Sequence, residues 1–168
     1  MPSISIIEKS PFRRLFAIIN IMTEEYEAAI LADENGALTG WMIDYLSDNN
    51  RGRNIPLASG LTEDGQFHTN LIYYPIEKFK VLMGPDRSFR YFEEPESFNT
   101  RVDAMVASLK NGWKPVPFIA TDLWNDGLEL SDGAHRVEAM KRFGIKIYPS
   151  VFYFKDQLAL DSFLKSLE

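Results

Sequence analysis

The chain has 168 residues, and its 18 basic against 24 acidic side chains give a formal charge of −6. This acidic balance argues against sequence-independent binding to nucleic acid, which relies on lysine and arginine contacts to phosphates. The chain has no cysteine, which excludes thiol nucleophiles, disulfides and thiolate metal sites. No signal-peptide pattern opens the sequence, and the longest apolar run, Leu15 to Ile21, is too short to span a bilayer. We therefore expect a cytoplasmic protein that makes no use of a membrane.

Residues 1–70 are predicted to form an amino-terminal extension that is rich in β-structure. The run from Arg14 to Met22 is apolar and β-branched, as expected of a buried strand. Thr23 to Tyr26 would suit a helix start, but Ala28 to Ile43 is interpreted as a β-hairpin, since Asn35-Gly36 supplies the positive φ angles of such a turn. The polar stretch 47–65 is predicted to be a surface loop.

Residues 71–168 show clearer alternation of strands and helices. Leu71 to Tyr74 and Ile76 to Leu82 are predicted strands, followed after a turn by a helix that Ser97 or Asn99 would cap. This helix has an apolar stripe and ends near Gly112. The stripe has the spacing of one helical face and consists of Val102, Met105, Val106 and Leu109.

The remaining elements complete a small mixed sheet with flanking helices. Strands are predicted over Pro115 to Thr121, Leu128 to Leu130 and Ile147 to Phe154. A second helix opens after Asp132-Gly133 and closes at Gly144, and Asp156 would cap a third. The inward positions of the second helix are Val137, Ala139, Met140 and Phe143, and those of the third are Ala159, Leu160, Phe163, Leu164 and Leu167. The fold class is thus α/β or α+β.

The segment Ser131 to Arg136 has the features of an anion-binding turn. A strand ends, Gly133 permits a tight turn, and a helix begins whose first N–H groups have no intrahelical partner. Arg136 can grip phosphate oxygens in a bidentate fork, and His135 can donate to a phosphate or transfer a proton. Asp132 is the candidate base or magnesium ligand. The plainer alternative is that Asp132 caps the helix and that His135 and Arg136 are merely exposed.

Residues 76–154 resemble the ParB/sulfiredoxin-like superfamily, which is about half of the chain. Asn111 to Phe118 is similar to the family phrase that joins a helix to the next strand. Asp132 to Ala139 is similar to the family signature, and Gly144 and Pro149 follow in the order and spacing that the family shows. The histidine form of the signature is closest to that of the free serine kinases.

The resemblance implies a domain over residues 71–168 that binds ATP or ADP. In the family this turn cradles nucleotide phosphates, which carries over here to Gly133, Ala134, His135 and Arg136. The helix before it lends a basic and a hydroxyl residue, which by position are Arg101 and Ser108; the alternative for both is an ordinary exposed helix flank. The expected activity is phosphoryl transfer to an unidentified small molecule with Mg²⁺, in which Asp132 and His135 are the catalytic candidates and Asp132 the metal ligand.

Departures from the family pattern restrict the activities that the resemblance implies. Ala134 stands where sulfiredoxins carry their catalytic cysteine, so sulfinic-acid reduction by that mechanism is excluded. The acidic residue that serine kinases carry after their first strand falls on Met83, with Asp86 nearby. Glu77 or Glu93 would take this position only if the chain were aligned with the family in another register. A non-catalytic nucleotide-binding regulator is therefore kept as the alternative, while the acidic chain gives little support to a ParB-like nuclease.

Other polar and aromatic residues are interpreted as structural. His68 has no neighbours of ligand type, and two histidines without cysteine make a zinc site a poor expectation. The acidic run at positions 93–96 is read as a solvated loop that could assist magnesium. Trp41, Trp113 and Trp124 are assigned to the core or to a lid rather than to base stacking.

Overall fold

The computed structural model of the chain describes residues 24–124 and 127–168. The helices of this part are α1 over residues 24–34, α2 Leu38–Ser47, α3 Ile55–Asp64, α4 Pro95–Lys110, α5 Ala134–Phe143 and α6 Gln157–Lys165. The strands are β1 Phe67–His68, β2 Ile72–Pro75, β3 Met83–Gly84, β4 Tyr91–Phe92, β5 Phe118–Asp122, β6 Glu129–Asp132 and β7 Ile147–Phe154. These elements confirm the predicted mixed class of helices and strands.

Strands β5 and β7 form the centre of a five-stranded mixed sheet. They pair in parallel, with Phe118 opposite Ser150 and Asp122 opposite Phe154. Strand β6 pairs antiparallel with β5, and both β1 and β2 pair antiparallel with β7. A separate parallel pair, β3 with β4, lies off this sheet. Parallel neighbours cannot be joined by a tight turn, and the connection from β5 to β7 runs through β6 and α5.

Both faces of the central strands are buried, because helices cover each of them. On one face Phe118 and Phe152 pack with residues of α4, α5 and α6. On the other face Ile119 and Val151 pack with residues of α1, α2 and α3. Successive side chains of a strand point to opposite faces, so a strand buried on both sides has a continuous apolar sequence. This explains why Ile147–Phe154 was recognisable as a strand from its composition.

The predicted hairpin over residues 28–43 is wrong, and so is the β-rich character of residues 24–64. Ala29, Ala32, Leu38, Met42 and Leu46 are buried at intervals of three or four within each helix, which is the spacing of a helical face. Asn35 and Gly36 terminate α1 instead of joining two strands: Gly36 has φ of 68°, and the Asn35 side chain donates to the Leu31 carbonyl. The predicted strand from Arg14 to Met22 lies outside the described residues.

The predicted loop over residues 47–65 is also wrong in its second half. Asn54 caps α3 by accepting a hydrogen bond from the Leu57 amide at 3.3 Å, and Pro56 occupies the first turn. Asparagine followed by proline is a helix-start signal that the surrounding polar residues obscured. Leu57, Ala58 and Leu61 then face the sheet.

Smaller differences concern element ends and single side chains. The predicted strand over Ile76 to Leu82 is instead a 3₁₀ turn, Ile76–Lys78, followed by extended chain up to β3. Helix α4 begins at Pro95 rather than after Ser97 or Asn99, because proline is favoured in the first turn. Phe143, Leu164 and Leu167 were predicted to face inward but are exposed. Phe143 and Leu164 lie in the last turns of α5 and α6, and Leu167 lies beyond the end of α6. Asp156 caps α6 as predicted, accepting from the Ala159 amide at 2.8 Å.

No helix in the described part of the chain is both long enough and apolar enough to cross a membrane.

Replacing Phe152 with alanine is expected to destabilise the fold by about 3–5 kcal/mol. Its ring is fully buried and contacts the rings of Tyr74, Phe79 and Phe163, so the truncation leaves a cavity in the main core. Urea denaturation measures the change. Leu158→Ala is the control, since Leu158 is 76% exposed and should shift the free energy of unfolding by less than about 0.5 kcal/mol. Equal effects of the two substitutions would contradict the assignment of the core.

Candidate functional site

The turn between β6 and α5 depends on a glycine at its apex. Gly133 has φ of 109° and ψ of 26°, a left-handed conformation that glycine adopts without a steric penalty. Helix α5 begins at the next residue, and no side chain caps its amino end. The N–H groups of its first turn have no acceptor within the helix and carry the positive end of the helix dipole. The predicted order of a strand, a glycine turn and a helix start is therefore present, while anion binding at this turn stays a prediction.

Arg136 lies beneath this turn rather than on its surface. The residue is 8% exposed, and its guanidinium donates to the Val116 carbonyl at 2.6 Å and to Asp132 Oδ2 at 2.5 Å. The guanidinium carbon also lies 5.3 Å from the centre of the Phe118 ring. Asp132 thus pairs with Arg136 and does not cap α5. The predicted grip of Arg136 on phosphate stays a prediction, while its observed contacts hold the turn against β5.

Glycine is required at position 133 for a second reason, because any side chain there would collide with Arg136. A Cβ atom at position 133 would lie 2.8 Å from Arg136 Nη2 and 2.9 Å from Phe118 Cδ1. Both distances are shorter than van der Waals contact. Asp132, Gly133 and Arg136 therefore pack as one unit, in which the side chain of Arg136, three residues after the glycine, lies directly under it.

His135 is paired with an acidic residue from the loop before α4. Its Nε2 lies 2.5 Å from Glu93 Oε2, and its ring packs on Phe98 with 5.1 Å between ring centres. The two side chains are only 16% and 14% exposed. Glu93 also accepts a hydrogen bond from Ser97 Oγ at 2.8 Å. A carboxylate that fixes one ring nitrogen of a histidine orients the imidazole and sets its tautomer.

The environment of Glu93 favours its charged form. Burial raises the pKa of Glu93, but hydrogen bonds from His135 and Ser97, together with the charges of His135 and Arg101, lower it further than burial raises it, so the pKa lies below the ordinary value. Of the acidic positions considered from the sequence, Glu93 is the one in contact with the turn. Asp86 instead accepts from the Ser88 amide at 2.8 Å.

Arg101 and Ser108 both lie on α4, where Arg101 is exposed and Ser108 is partly buried. Arg101 Nε is 3.5 Å from Glu93 Oε1, which links it to His135 through the shared carboxylate. Its side chain is 62% exposed. The Ser108 hydroxyl donates to the Ala104 carbonyl one helical turn back, at 3.1 Å. Arg101 thus borders the turn, whereas the Ser108 hydroxyl is engaged by its own helix.

Two cavities meet at the turn and share the segment 132–135 as a wall. The larger, cavity A, has a volume of about 540 Å³ and extends towards the start of α3, the β3–β4 pair and the β5–β6 connection. Its wall includes Thr121 and Ser131, whose hydroxyls are 2.8 Å apart, and Arg90, which pairs with the buried Glu129 at 3.3 Å. Trp124 and Tyr91 also line it and are 53% and 54% exposed.

Cavity B lies on the other side and has a volume of about 250 Å³. Besides the turn and Arg136 it is lined by Glu25, Tyr45, Gly52, Met105, Trp113 and Val116. Burial raises the pKa of Tyr45, partly offset by the charge of Arg136, so its hydroxyl stays protonated at neutral pH. Helices α1 and α2 therefore supply part of this site, although no helices were predicted over residues 24–47.

Trp113, in the wall of cavity B, carries a buried donor without a partner. The residue is 6% exposed, as predicted for a core tryptophan, and its Nε1 finds no acceptor among residues 24–124 and 127–168. Leaving such a donor unpaired costs about 1–3 kcal/mol. Trp124, which was also assigned to the core or to a lid, is half exposed in the wall of cavity A.

The sequence analysis named Glu93 only as an acidic residue in an alternative register, and it missed the inward course of Arg136. A signal for Glu93 existed, since it lies two residues before the proline that starts α4 and so near the amino end of that helix. In the part of the chain that the structure describes, no group of three or more histidine, aspartate or glutamate residues is arranged to hold a metal ion. The role of Asp132 as a magnesium ligand stays a prediction.

Comparison of the chain with known protein families, with curated sequences and with solved structures finds no match.

Gly133→Ala is expected to destabilise the fold more than Gly144→Ala. Both glycines have positive φ, 109° and 93°, so each substitution costs about 1–2 kcal/mol in backbone strain. A Cβ at Gly144 would meet open space, whereas one at Gly133 would collide with Arg136 and Phe118. Urea denaturation compares the two variants. Equal destabilisation would contradict the close packing of Arg136 under the turn.

In Glu93→Gln, the free energy of unfolding is expected to fall less steeply with decreasing pH than in the wild type. The folded-state pKa of Glu93 lies below its ordinary value of 4.5, so the pair stabilises the fold fully above that value and ceases to do so as pH falls through the folded-state pKa. Free energies of unfolding from neutral pH down to about pH 3 measure this. Glu138→Gln, in an exposed pair with Arg142 at 2.9 Å, should keep the wild-type slope. If the free energy of unfolding of Glu93→Gln depends on pH as steeply as that of the wild type, the contact between Glu93 and His135 is contradicted.

Proposed function

We propose that this chain binds ATP or ADP in cavity A and transfers a phosphoryl group to a small molecule. The observation that carries the proposal is a cavity of ligand size bounded by the uncapped amino end of α5. Its volume of about 540 Å³ falls within the range of small-molecule sites. Helix amino ends of this kind bind phosphates through backbone N–H groups and the helix dipole. The resemblance of the turn to the ParB/sulfiredoxin-like signature supports the same ligand.

The exposed aromatic residues of cavity A suit a nucleobase. Trp124 and Tyr91 leave about half of their surface open at the cavity wall. A base that stacks on such a ring gains about 1–3 kcal/mol, and the gain depends little on which base it is. We infer that the phosphates lie at Gly133, Ala134 and His135 while the base stacks on Trp124 or Tyr91.

The pair of Glu93 and His135 supplies the group that a phosphotransferase needs to orient an attacking hydroxyl. Glu93 fixes the Nε2 side of the imidazole, which leaves Nδ1 for a ligand or a proton. Phosphoryl transfer requires mainly positioning and charge stabilisation, so few protein groups are needed. Magnesium would be carried chiefly by the nucleotide phosphates, because Mg²⁺ takes few protein ligands in such sites. Asp132 remains the candidate that could add one.

A non-catalytic nucleotide-binding regulator is the second candidate. It is favoured by the pairing of Asp132 with Arg136 at 2.5 Å, which occupies the carboxylate that was expected to act as base or metal ligand. An assay for release of ADP or AMP from ATP, or of AMP from ADP, against pools of amino acids and sugars separates the two. Acceptor-dependent release supports the enzyme, whereas binding without release supports the regulator.

ATP or ADP at millimolar concentration is expected to raise the melting temperature, and Trp124→Ala is expected to weaken this binding about tenfold through loss of base stacking. A thermal-shift titration with ATP, ADP and CTP, with and without Mg²⁺, measures both effects. Phe143→Ala is the matched control, because Phe143 is an exposed aromatic residue at the far end of α5. Arg136→Ala is unsuitable, since removing one partner of a buried pair damages the fold itself.

The proposal fails if none of the three nucleotides stabilises the wild-type protein. If Trp124→Ala binds as tightly as the wild type while a nucleotide does bind, the base does not lie on Trp124 and that part of the proposal is wrong.

A further inference from the structure

The two ring nitrogens of His135 have different surroundings. Nε2 lies 2.5 Å from Glu93 Oε2. An ionised carboxylate only accepts hydrogen bonds, so this contact holds the proton of the neutral imidazole on Nε2 and leaves the lone pair on Nδ1. Within residues 24–124 and 127–168, Nδ1 makes no hydrogen bond, and the one fully buried side-chain nitrogen or oxygen without a partner is Trp113 Nε1. Nδ1 of His135 is therefore accessible from solvent.

The surrounding residues hold the His135 ring in one orientation. Its centre lies 5.1 Å from that of the Phe98 ring, and its side chain is 16% exposed. Glu93 is itself fixed, because it accepts a hydrogen bond from Ser97 Oγ at 2.8 Å and lies 3.5 Å from Arg101 Nε. A nucleophile held in this way loses little conformational freedom when it reacts.

Three other nucleophilic side chains in the wall of cavity A are engaged by the protein. The hydroxyls of Thr121 and Ser131 are bonded to each other at 2.8 Å, and Asp132 Oδ2 lies 2.5 Å from Arg136 Nη2. His135 lines the same cavity and is the second residue of α5, so a phosphate at the amino end of that helix lies beside its ring. His135 thus combines an unshared lone pair with the position that a nucleophile needs.

We propose that His135 Nδ1, oriented by Glu93, takes the phosphoryl group from ATP or ADP and passes it on as a phosphohistidine, a route that rests on the nucleotide binding proposed above. In the first step the Nδ1–P bond forms, the bond from phosphorus to the nucleotide oxygen breaks, and its electron pair leaves with ADP or AMP. The Nε2 proton stays in the contact with Glu93, whose charge stabilises the positive ring. In the second step the acceptor hydroxyl displaces Nδ1 from phosphorus and releases its proton to water.

Isotope exchange in the absence of an acceptor tests this route. Because the first step is complete and reversible before an acceptor binds, the full chain with Mg²⁺ is expected to move radiolabel from ADP into ATP, or from AMP into ADP. Direct transfer to the acceptor gives no such exchange. The chain is also incubated with ATP or ADP labelled in the terminal phosphate and then digested. The label is expected on the peptide that contains His135, and it should be stable in alkali and lost in acid, as a phosphohistidine is.

Two substitutions, each with a control, locate the reacting nitrogen. His135→Asn is expected to abolish exchange and label, whereas His68→Gln should keep both, because the second histidine of the chain does not line cavity A. Glu93→Gln is expected to slow exchange at least about a hundredfold, since a glutamine amide can donate to Nε2 and so favour the tautomer with its proton on Nδ1. Its rise in melting temperature with nucleotide should stay at the wild-type value. Glu138→Gln, in the exposed pair with Arg142, should exchange at the wild-type rate.

The results distinguish failure of the phosphohistidine from failure of the proposed function. If nucleotide raises the melting temperature but no exchange occurs, the phosphohistidine is overturned while the nucleotide site stands. Label on a residue other than His135, or exchange at the wild-type rate in Glu93→Gln, also overturns it, and the mapped label decides even if His135→Asn does not fold. If no nucleotide binds, both proposals fail together. Exchange accompanied by acid-labile label on His135 supports the phosphohistidine.

Discussion

The buried ion pair of Asp132 and Arg136 fixes the geometry on which the site depends. The arginine side chain reaches back under Gly133, joins the end of β6 to the Val116 carbonyl before β5, and lies over the Phe118 ring. Removing two charges from water is costly, so such a pair contributes more to a defined arrangement than to net stability. Here it leaves no room for a side chain at position 133, where a Cβ would collide with Arg136 and Phe118. The amino end of α5 is thereby available to both cavities.

The sheet explains why cavities lie on both sides of this turn. Strands β5 and β7 are buried on both faces, so helices from each half of the chain must cover them. Helices α4 and α5 pack on one face and bring Glu93, Phe98 and His135 together. Helices α2 and α3 pack on the other face and contribute Tyr45 to cavity B and Leu57 to cavity A. The amino-terminal helices thus supply part of the walls of both cavities.

The elements that could be predicted from the sequence are those in which one local signal dominates. Strand β7 has a continuous apolar run, α5 lies between two glycines, and α6 begins at an aspartate cap. The helices of residues 24–64 were missed because Asn35-Gly36 fits a hairpin turn as well as a helix end, and because Asn54 lies in a polar stretch. The residue types of the turn led to the prediction of an anion site, but they did not predict the directions of its side chains. Whether Arg136 faces a ligand or the core depends on Phe118 and Val116, residues distant in sequence that only the fold brings near.

The central claim is that the amino end of α5, held open by Arg136, binds nucleotide phosphates. Backbone ¹H–¹⁵N spectra of the labelled chain, recorded during a titration with ADP and Mg²⁺, test it most directly. The account predicts that the amides of Gly133, Ala134 and His135 shift most and in a saturable manner, together with the indole signal of Trp124. If ADP leaves these amides unchanged, or shifts only residues remote from the turn, the account is contradicted.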